Sequence, residues 1–264
     1  ICLNCGLKFF SPFISGDNAF YSELGKEEWY YLHEDKTEFN YCNNYIKDGD
    51  NILDIGSGRG AFTKYIDKNI SYTGLELSSK AVEYAKEENI NVIKRTIQDY
   101  ALSRENTHDV VVAFQVLEHI TNVNSFIESS IKVIKPDGLF IIAVPNNDSF
   151  IKNAQNNLLN LPPHHLLHWN EESLRYIANK FNLMIIDVYK EKLTNIHKNW
   201  YYSVVISKFF RNIFCLKTKS INIGFTSKLI NKVSAVLLKI INLFTVHVNK
   251  DGHTVIIVFK KINV

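Results

Sequence analysis

Cysteine is scarce in this 264-residue sequence. Only Cys2, Cys5, Cys42 and Cys215 are present. They lack the regular spacing of a disulfide-stapled secreted domain, so a reducing, cytoplasmic setting is expected. No run of about 18 uncharged apolar residues occurs, which argues against a membrane-spanning helix. No signal-peptide pattern is visible, and the first residue, Ile1, leaves room for residues upstream. An excess of one charge is missing too. The 30 basic and 27 acidic residues leave a net charge of +3, too mild to imply a nucleic-acid partner. Internal repeats and low-complexity tracts are absent.

What is present is core material, 46% apolar and 12% aromatic, enough to bury a substantial interior. From Asn51 to Val144 short apolar runs alternate with longer amphipathic ones. Strands are predicted at Asn51–Ile55, Ser71–Glu76, Asn91–Lys94, Asp109–Phe114 and Leu139–Val144. Between them the pattern predicts helices at Gly60–Asp67, Ser78–Glu88 with Ser78 as N-cap, and Asn122–Ile134. That alternation predicts an α/β fold, a parallel sheet covered by helices on both faces. A helix is expected over His33–Ile46 before this core. A long irregular stretch, Asn146–His168, follows it, and loops of that length are often functional. Then come a helix at Glu171–Lys180 and strands at Leu183–Tyr189 and His253–Phe259. Residues 1–32 read as an N-terminal arm, 33–195 and 249–264 as the core, and 196–248 as a mostly helical insertion.

Chemistry concentrates at Leu53-Asp54-Ile55-Gly56-Ser57-Gly58-Arg59-Gly60. A strand, a glycine turn and a helix start form a generic nucleotide-binding device. Gly56 suits the tight turn, Gly58 the close approach of a ligand, and Gly60 helix packing. The flanking acids narrow the ligand. Asp54 would repel a pyrophosphate, but it suits the sulfonium and ammonium of S-adenosylmethionine. Glu76, about 20 residues past the first glycine, is placed to accept both ribose hydroxyls. Asp99 is placed for the adenine amino group. Leu77, Gln98 and Gln115 complete the expected cofactor-binding set.

Later segments carry a family resemblance. Phe114-Gln115-Val116-Leu117-Glu118-His119-Ile120, Val144-Pro145-Asn146, and Pro162-Pro163-His164-His165-Leu166 through Trp169 are its signatures. The sequence resembles class I S-adenosylmethionine-dependent methyltransferases, particularly the branch of ubiquinone-biosynthesis O-methyltransferases and bacterial sugar or glycan methyltransferases. The resemblance covers about Cys2–Tyr189 and the last strand. It implies a Rossmann-like seven-stranded sheet with the last strand antiparallel. It also implies O-methylation of a sugar-nucleotide or glycan precursor in surface-polysaccharide biosynthesis, or of a small aromatic or quinone acceptor. A non-catalytic cofactor-binding scaffold and an NAD-dependent oxidoreductase are the rival readings. No Asn/Asp-Pro-Pro-Tyr motif follows the fourth strand, so a nucleic-acid acceptor is not expected.

If the acceptor is a hydroxyl, a general base assists, and His is the natural residue near neutral pH. His165 or His119 is expected to take the proton, with His165 placed first. His164 and His168 join Tyr21, Tyr30 and Tyr31 as residues expected around the acceptor. Some ubiquinone-type relatives are thought to hold a divalent ion at the fourth-strand signature. Here the earlier acidic position is the neutral Gln115, so no metal is expected.

Cys2-Leu3-Asn4-Cys5-Gly6 has the spacing of one zinc knuckle, and related enzymes carry a zinc ribbon there. Two further ligands are missing, so zinc at Cys2 and Cys5 is not expected in this chain. In the insertion, Lys228, Lys232 and Lys239, with Asn231 and Asn242 nearby, line one stripe of a helix over Thr226–Phe244 whose remaining circumference is mostly apolar. Such a helix suits packing against the core or a second copy in a homodimer. It also suits peripheral contact with a bilayer, where Lys can snorkel.

Overall fold

The computed structural model describes residues 1–24, 26, 36–216, 220–222, 224–241 and 250–262. Its centre is a seven-stranded sheet. The strands are β2 (Asn51–Ile55), β3 (Ser71–Glu76), β4 (Val92–Lys94), β5 (His108–Phe114), β6 (Ile134–Pro145), β8 (Leu183–Lys192) and β9 (Asp251–Lys261), in the order β4-β3-β2-β5-β6-β9-β8. β9 runs antiparallel to β6 and β8, and the other pairings are parallel. The expected seven-stranded sheet with an antiparallel last strand is therefore the one formed.

Period-two alternation splits the buried residues into two cores. Leu53, Ile55, Val111, Ala113, Phe140, Ile142, Val255 and Ile257 face one layer. It includes α4 (Ile97–Tyr100), α5 (Val123–Val133) and α6 (Glu171–Phe181). Ile52, Val110, Val112, Phe114, Ile141, Ile256 and Val258 face the other, where Phe39 and Cys42 of α2 (Thr37–Cys42) and Phe62 pack. The caps follow the sequence. Ser78 caps α3 (Ser79–Glu87) and Asn122 caps α5. Asn170 forms a capping box with Ser173 at α6.

Two segments depart from expectation. The helix expected over Gly60–Asp67 is a 3₁₀ turn, Ala61–Tyr65. Gly60 is left-handed there, and both the Thr63 N–H and its hydroxyl donate to the Gly60 carbonyl, which favours the tighter turn. The expected helix over His33–Ile46 is α2 followed by a 3₁₀ turn, Asn43–Tyr45, with residues 33–35 outside the described set.

The N-terminal arm contains β1 (Lys8–Phe9) and α1 (Asn18–Leu24). β1 pairs antiparallel with β7 (Leu167–His168), tying the arm to the loop after β6. The insertion is helical as expected: α7 (Asn195–Ile213) and α8 (Phe225–Ile241) pack on one another with Ser207 and Ser234 hydrogen-bonded at 3.2 Å between them. Arg211 anchors the pair to the core, donating to Gln155 Oε1 and the Asn153 carbonyl. Lys228, Lys232 and Lys239 are exposed, and so are Phe225, Leu229 and Val236. Asn242, Leu243 and Phe244 lie outside the described residues. No helix among the described residues is long and apolar enough to cross a membrane.

Candidate active site

The strand order reverses between β2 and β5, and in open parallel sheets ligands settle outside the carboxyl ends of the strands at such a point. Past β2, Gly56, Gly58 and Gly60 all have positive φ (73°, 54° and 78°), a conformation cheap only for glycine. At Gly56 a side chain is also excluded by contact, since a Cβ would sit 2.4 Å from Val116 Cγ2.

The two carboxylates beside this loop do different work. Glu76 ends β3 and is woven into the backbone. Its Oε2 accepts from Gly58 N at 2.9 Å, and its Oε1 from Leu77 N and Ser78 N at 2.7 and 2.8 Å. A carboxylate has about four acceptor positions. Oε2 therefore keeps one for an incoming hydroxyl, while a grip on two hydroxyls requires one backbone bond to be released. Leu77 next to it is 56% exposed, an apolar surface beside the Glu76 anchor. Asp54 is buried and accepts from Tyr72 Oη at 2.8 Å. Burial pushes its carboxyl up to about 7, against the Tyr72 hydrogen bond and the Lys36 charge. Gln98 and Asp99 lie in α4, where Thr96 donates to Asp99 Oδ2 at 2.6 Å. The Arg59 guanidinium lies over the Tyr84 ring at 4.4 Å. Two carboxylates and a positive-φ glycine loop form a donor and acceptor set that fits a cationic, ribose-bearing ligand better than a pyrophosphate.

Beyond β5 the structure brings together three of the four expected histidines. His119 Nδ1 lies 2.6 Å from the His164 carbonyl, and His164 Nδ1 lies 2.9 Å from the Leu159 carbonyl. Carbonyls only accept, so both Nδ1 atoms carry protons and both Nε2 atoms present lone pairs. His165 reaches the same tautomer through a relay of amides. Asn147 Nδ2 donates to the Pro145 carbonyl, Asn160 Nδ2 donates to Asn147 Oδ1, and Asn160 Oδ1 is thereby left to accept from His165 Nδ1 at 3.0 Å. His168 is the exception. Its Nε2 donates to the Asn160 carbonyl at 2.8 Å and its ring packs edge-on against Phe10. It holds the loop.

At the centre lies Glu118, fully buried, with no hydrogen bond to either oxygen from another described residue. Its Oε1 is 3.9 Å from His119 Nε2 and 3.8 Å from His165 Nε2. Burial pushes the Glu118 carboxyl up to about 8, helped by the Glu38 charge. Burial also pushes His119 down to about 4 and His165 well below its usual value. At neutral pH the cluster is therefore uncharged, two neutral imidazoles around a protonated carboxyl. Tyr21 closes one side, its ring edge-on to His119 and its hydroxyl pushed up to about 12 by burial. Tyr30 and Tyr31 lie outside the described residues.

Sequence reasoning missed Glu118, Glu38 and Asn160 as site residues. Gln115, at φ 56°, donates from Nε2 to Glu38 Oε1 at 3.2 Å. Its amide serves as a donor to a buried acid, a role that a carboxylate there could not fill. His119, His164 and His165 also form a group whose ligand atoms lie within 4.8 Å of one another. Among the described residues, Cys2 and Cys5 belong to no such group of three.

Glu118 makes stability pH-dependent in a defined direction. Its folded pKa, about 8, lies above the unfolded 4.5. The stability it contributes is therefore complete below pH 4.5 and lost as pH rises through 8, with a slope of at most ~1.4 kcal/mol per pH unit. Glu118→Gln is neutral at every pH and removes this slope. In urea melts the variant gains on the parent between pH 5 and pH 9; a constant difference across that range would show that Glu118 ionises freely.

Comparison with known proteins gives the family and the fold. A family model described as a methyltransferase domain matches residues 28–188, more than half of the chain. The ubiquinone biosynthesis O-methyltransferase of Rickettsia akari is 35% identical over 102 residues, 36% of this chain and 40% of that protein. That of Vibrio parahaemolyticus is 29% identical over 107 residues, 38% of this chain and 46% of its own length. The chain thus spans less than half the length of these curated relatives. A SAM-dependent methyltransferase from Archaeoglobus fulgidus superposes with a TM-score of 0.54 at 19% identity, covering 93% of this chain and 100% of that one. Coclaurine N-methyltransferase bound to N-methylheliamine and SAH superposes with a TM-score of 0.51 at 20% identity, covering 84% and 68%. At those identities the likeness is one of fold.

Proposed function

Because the chain belongs to the methyltransferase-domain family whose model matches residues 28–188, we propose that it is an S-adenosylmethionine-dependent O-methyltransferase acting on a hydroxyl of a sugar or glycan precursor. The observation that carries the reading is the pairing of two sites at one sheet edge. The first is a glycine loop flanked by the carboxylates of Asp54 and Glu76. The second is a buried cluster of neutral imidazoles, with His119 and His165 bringing their Nε2 atoms together beside the Glu118 carboxyl.

When bound, the cofactor supplies an activated methyl group on a sulfonium. The chain's own residues do the rest. Glu76 and Asp99 fix the ribose and adenine ends, and the Asp54 carboxylate, ionised above pH 7, complements the positive charge. His165 Nε2, or His119 Nε2, accepts the acceptor's hydroxyl proton. Protonation of either imidazole favours ionisation of Glu118 less than 4 Å away, so the cluster titrates as a coupled set. Holding acceptor and donor in line contributes the larger share, up to about 7–11 kcal/mol. The loop carrying Asn160, His164 and His165 supports a polar, hydroxyl-rich acceptor.

A small aromatic acceptor is the second reading, favoured by the similarity to ubiquinone biosynthesis O-methyltransferases and by the Tyr21 and Phe20 rings packed against the histidines. Incubation with labelled cofactor and parallel panels of sugar nucleotides, glycans and catechols tests both. Methyl transfer to the sugars supports the first reading and transfer to catechols the second. Thermal stabilisation by NAD but not by S-adenosylhomocysteine would refute both.

A further inference from the structure

A second group of candidate ligands stands apart from the histidine cluster. Glu191, His197 and His253 each bring one ligand atom within 4.8 Å of the others. Glu191 is the penultimate residue of β8, His253 the third of β9, and His197 lies in the first turn of α7. We propose that these three residues form a binding site for a divalent transition-metal ion of the zinc class, with a fourth coordination position left for water or an oxygen ligand.

The backbone is shaped for this group. The β8–β9 ladder shifts register between Ile185 and Asp187, runs regularly from Asp187↔Val258 to Lys190↔Val255, and breaks again before Lys192↔Asp251. Such irregularities re-aim side chains, often beside functional sites. At the break, Gly252 makes room for the Glu191 carboxyl, because a Cβ there would lie 2.7 Å from Oε2 and 3.0 Å from Cγ and Cδ. Glu191 is only 4% exposed. Its Oε1 accepts from Thr37 Oγ1 at 3.1 Å, which orients the carboxylate. Its Oε2 receives no hydrogen bond among the described residues. That oxygen lies 3.3 Å from His253 Nδ1, and a buried carboxylate oxygen without a donor is costly unless a cation satisfies it.

The spacing fits a metal. Bonds of about 2.0–2.2 Å in a tetrahedral shell put neighbouring ligand atoms roughly 3.3–3.5 Å apart, the separation of Glu191 Oε2 and His253 Nδ1. His197 Nδ1 is hydrogen-bonded to Thr194 Oγ1 at 3.0 Å, which orients the ring in the group. The His197 and His253 ring centroids are 4.3 Å apart at 72°, and Trp200 packs edge-on against both rings. Two imidazoles and one carboxylate favour zinc, cobalt, iron or manganese over calcium or magnesium, which prefer all-oxygen shells. The site also lies on the functional edge of the sheet. β9 runs antiparallel, so its first residues sit at the carboxyl ends of the parallel strands, and the His253 carbonyl accepts from Asn146 N at 2.7 Å, just past β6.

Titration of the chelator-stripped chain with Co²⁺ and Zn²⁺ tests the assignment. Expected are one Co²⁺ per chain with the intense d–d absorption of tetrahedral cobalt, displacement of that signal by Zn²⁺, and about 100-fold weaker binding in His253→Ala and His197→Ala. Metal-free melting curves show whether each variant folds, and His197→Ala, on a helix surface, is the milder change. His119→Ala is expected to bind Co²⁺ as the parent does. No stoichiometric uptake would overturn the proposal. So would uptake that survives both His253→Ala and His197→Ala, or uptake that His119→Ala abolishes, since it would then belong to the other histidine group.

Discussion

Replacing His165 by alanine is expected to lower kcat about 10²–10⁴-fold, the usual contribution of a positioned general base. Affinity for S-adenosylhomocysteine should change little. The separation follows from where the residue sits. Glu76, Asp54 and the glycine loop lie at the ends of β2 and β3, whereas His165 is in the loop after β6 and is held by the Asn147–Asn160 relay. Its proton inventory is fixed by that relay, so Nε2 is the basic atom. His119 presents the same tautomer to the same carboxyl, and His119→Ala is expected to show the same kind of loss. The residue that touches the acceptor proton shows the larger loss. Steady-state kinetics with either acceptor class reads the outcome. Unchanged kcat in both single variants and in the double variant would remove histidine from the chemistry. The activity of the parent should then rest on alignment alone.

How much of this was legible in the sequence depends on the range of the interaction. The strands were readable because β5 and β6 contain unbroken apolar runs, Val110–Phe114 and Leu139–Val144, and β2 is apolar apart from Asn51 and Asp54. Ser78 and Asn122 were readable as caps because a cap acts within three residues. The glycine loop and Glu76 were readable for the same reason, the contact of Glu76 with Gly58 spanning only 18 residues. Glu118 lies inside a quoted signature, yet nothing local marks it as fully buried and without a donor. That state is made by His165, which reaches it from another segment. The β1–β7 pairing, the Gln115–Glu38 bond and the Glu191–His253 contact join segments far apart in sequence. A single sequence offers no periodicity for such contacts. The 3₁₀ turn at Ala61–Tyr65 was misread as a helix because Thr63 competes for the Gly60 carbonyl, an effect smaller than the pattern around it.

Glu76→Ala is expected to weaken S-adenosylhomocysteine binding about 100-fold, the scale of losing one strong hydrogen bond to a charged group. Two losses combine. The ribose loses its acceptor, and Gly58, Leu77 and Ser78 lose the carboxylate that now holds their N–H groups. The second loss distinguishes this position from an ordinary ligand contact, because it frees the loop that must meet the cofactor. Glu76→Gln separates the two. Its amide keeps the length and volume but puts an NH₂ group opposite N–H donors, leaving a donor-to-donor clash at one side of the nest. Gln is therefore expected to rescue little of the affinity lost in Ala. If Gln restores most of it, the backbone bonds to Glu76 are incidental and the residue acts only on the ribose. Isothermal titration of the parent and both variants decides, with circular dichroism to show that the sheet is intact. Since Glu76 ends β3 at the surface of the crevice and not in either core, its loss should reach the cofactor before it reaches the fold.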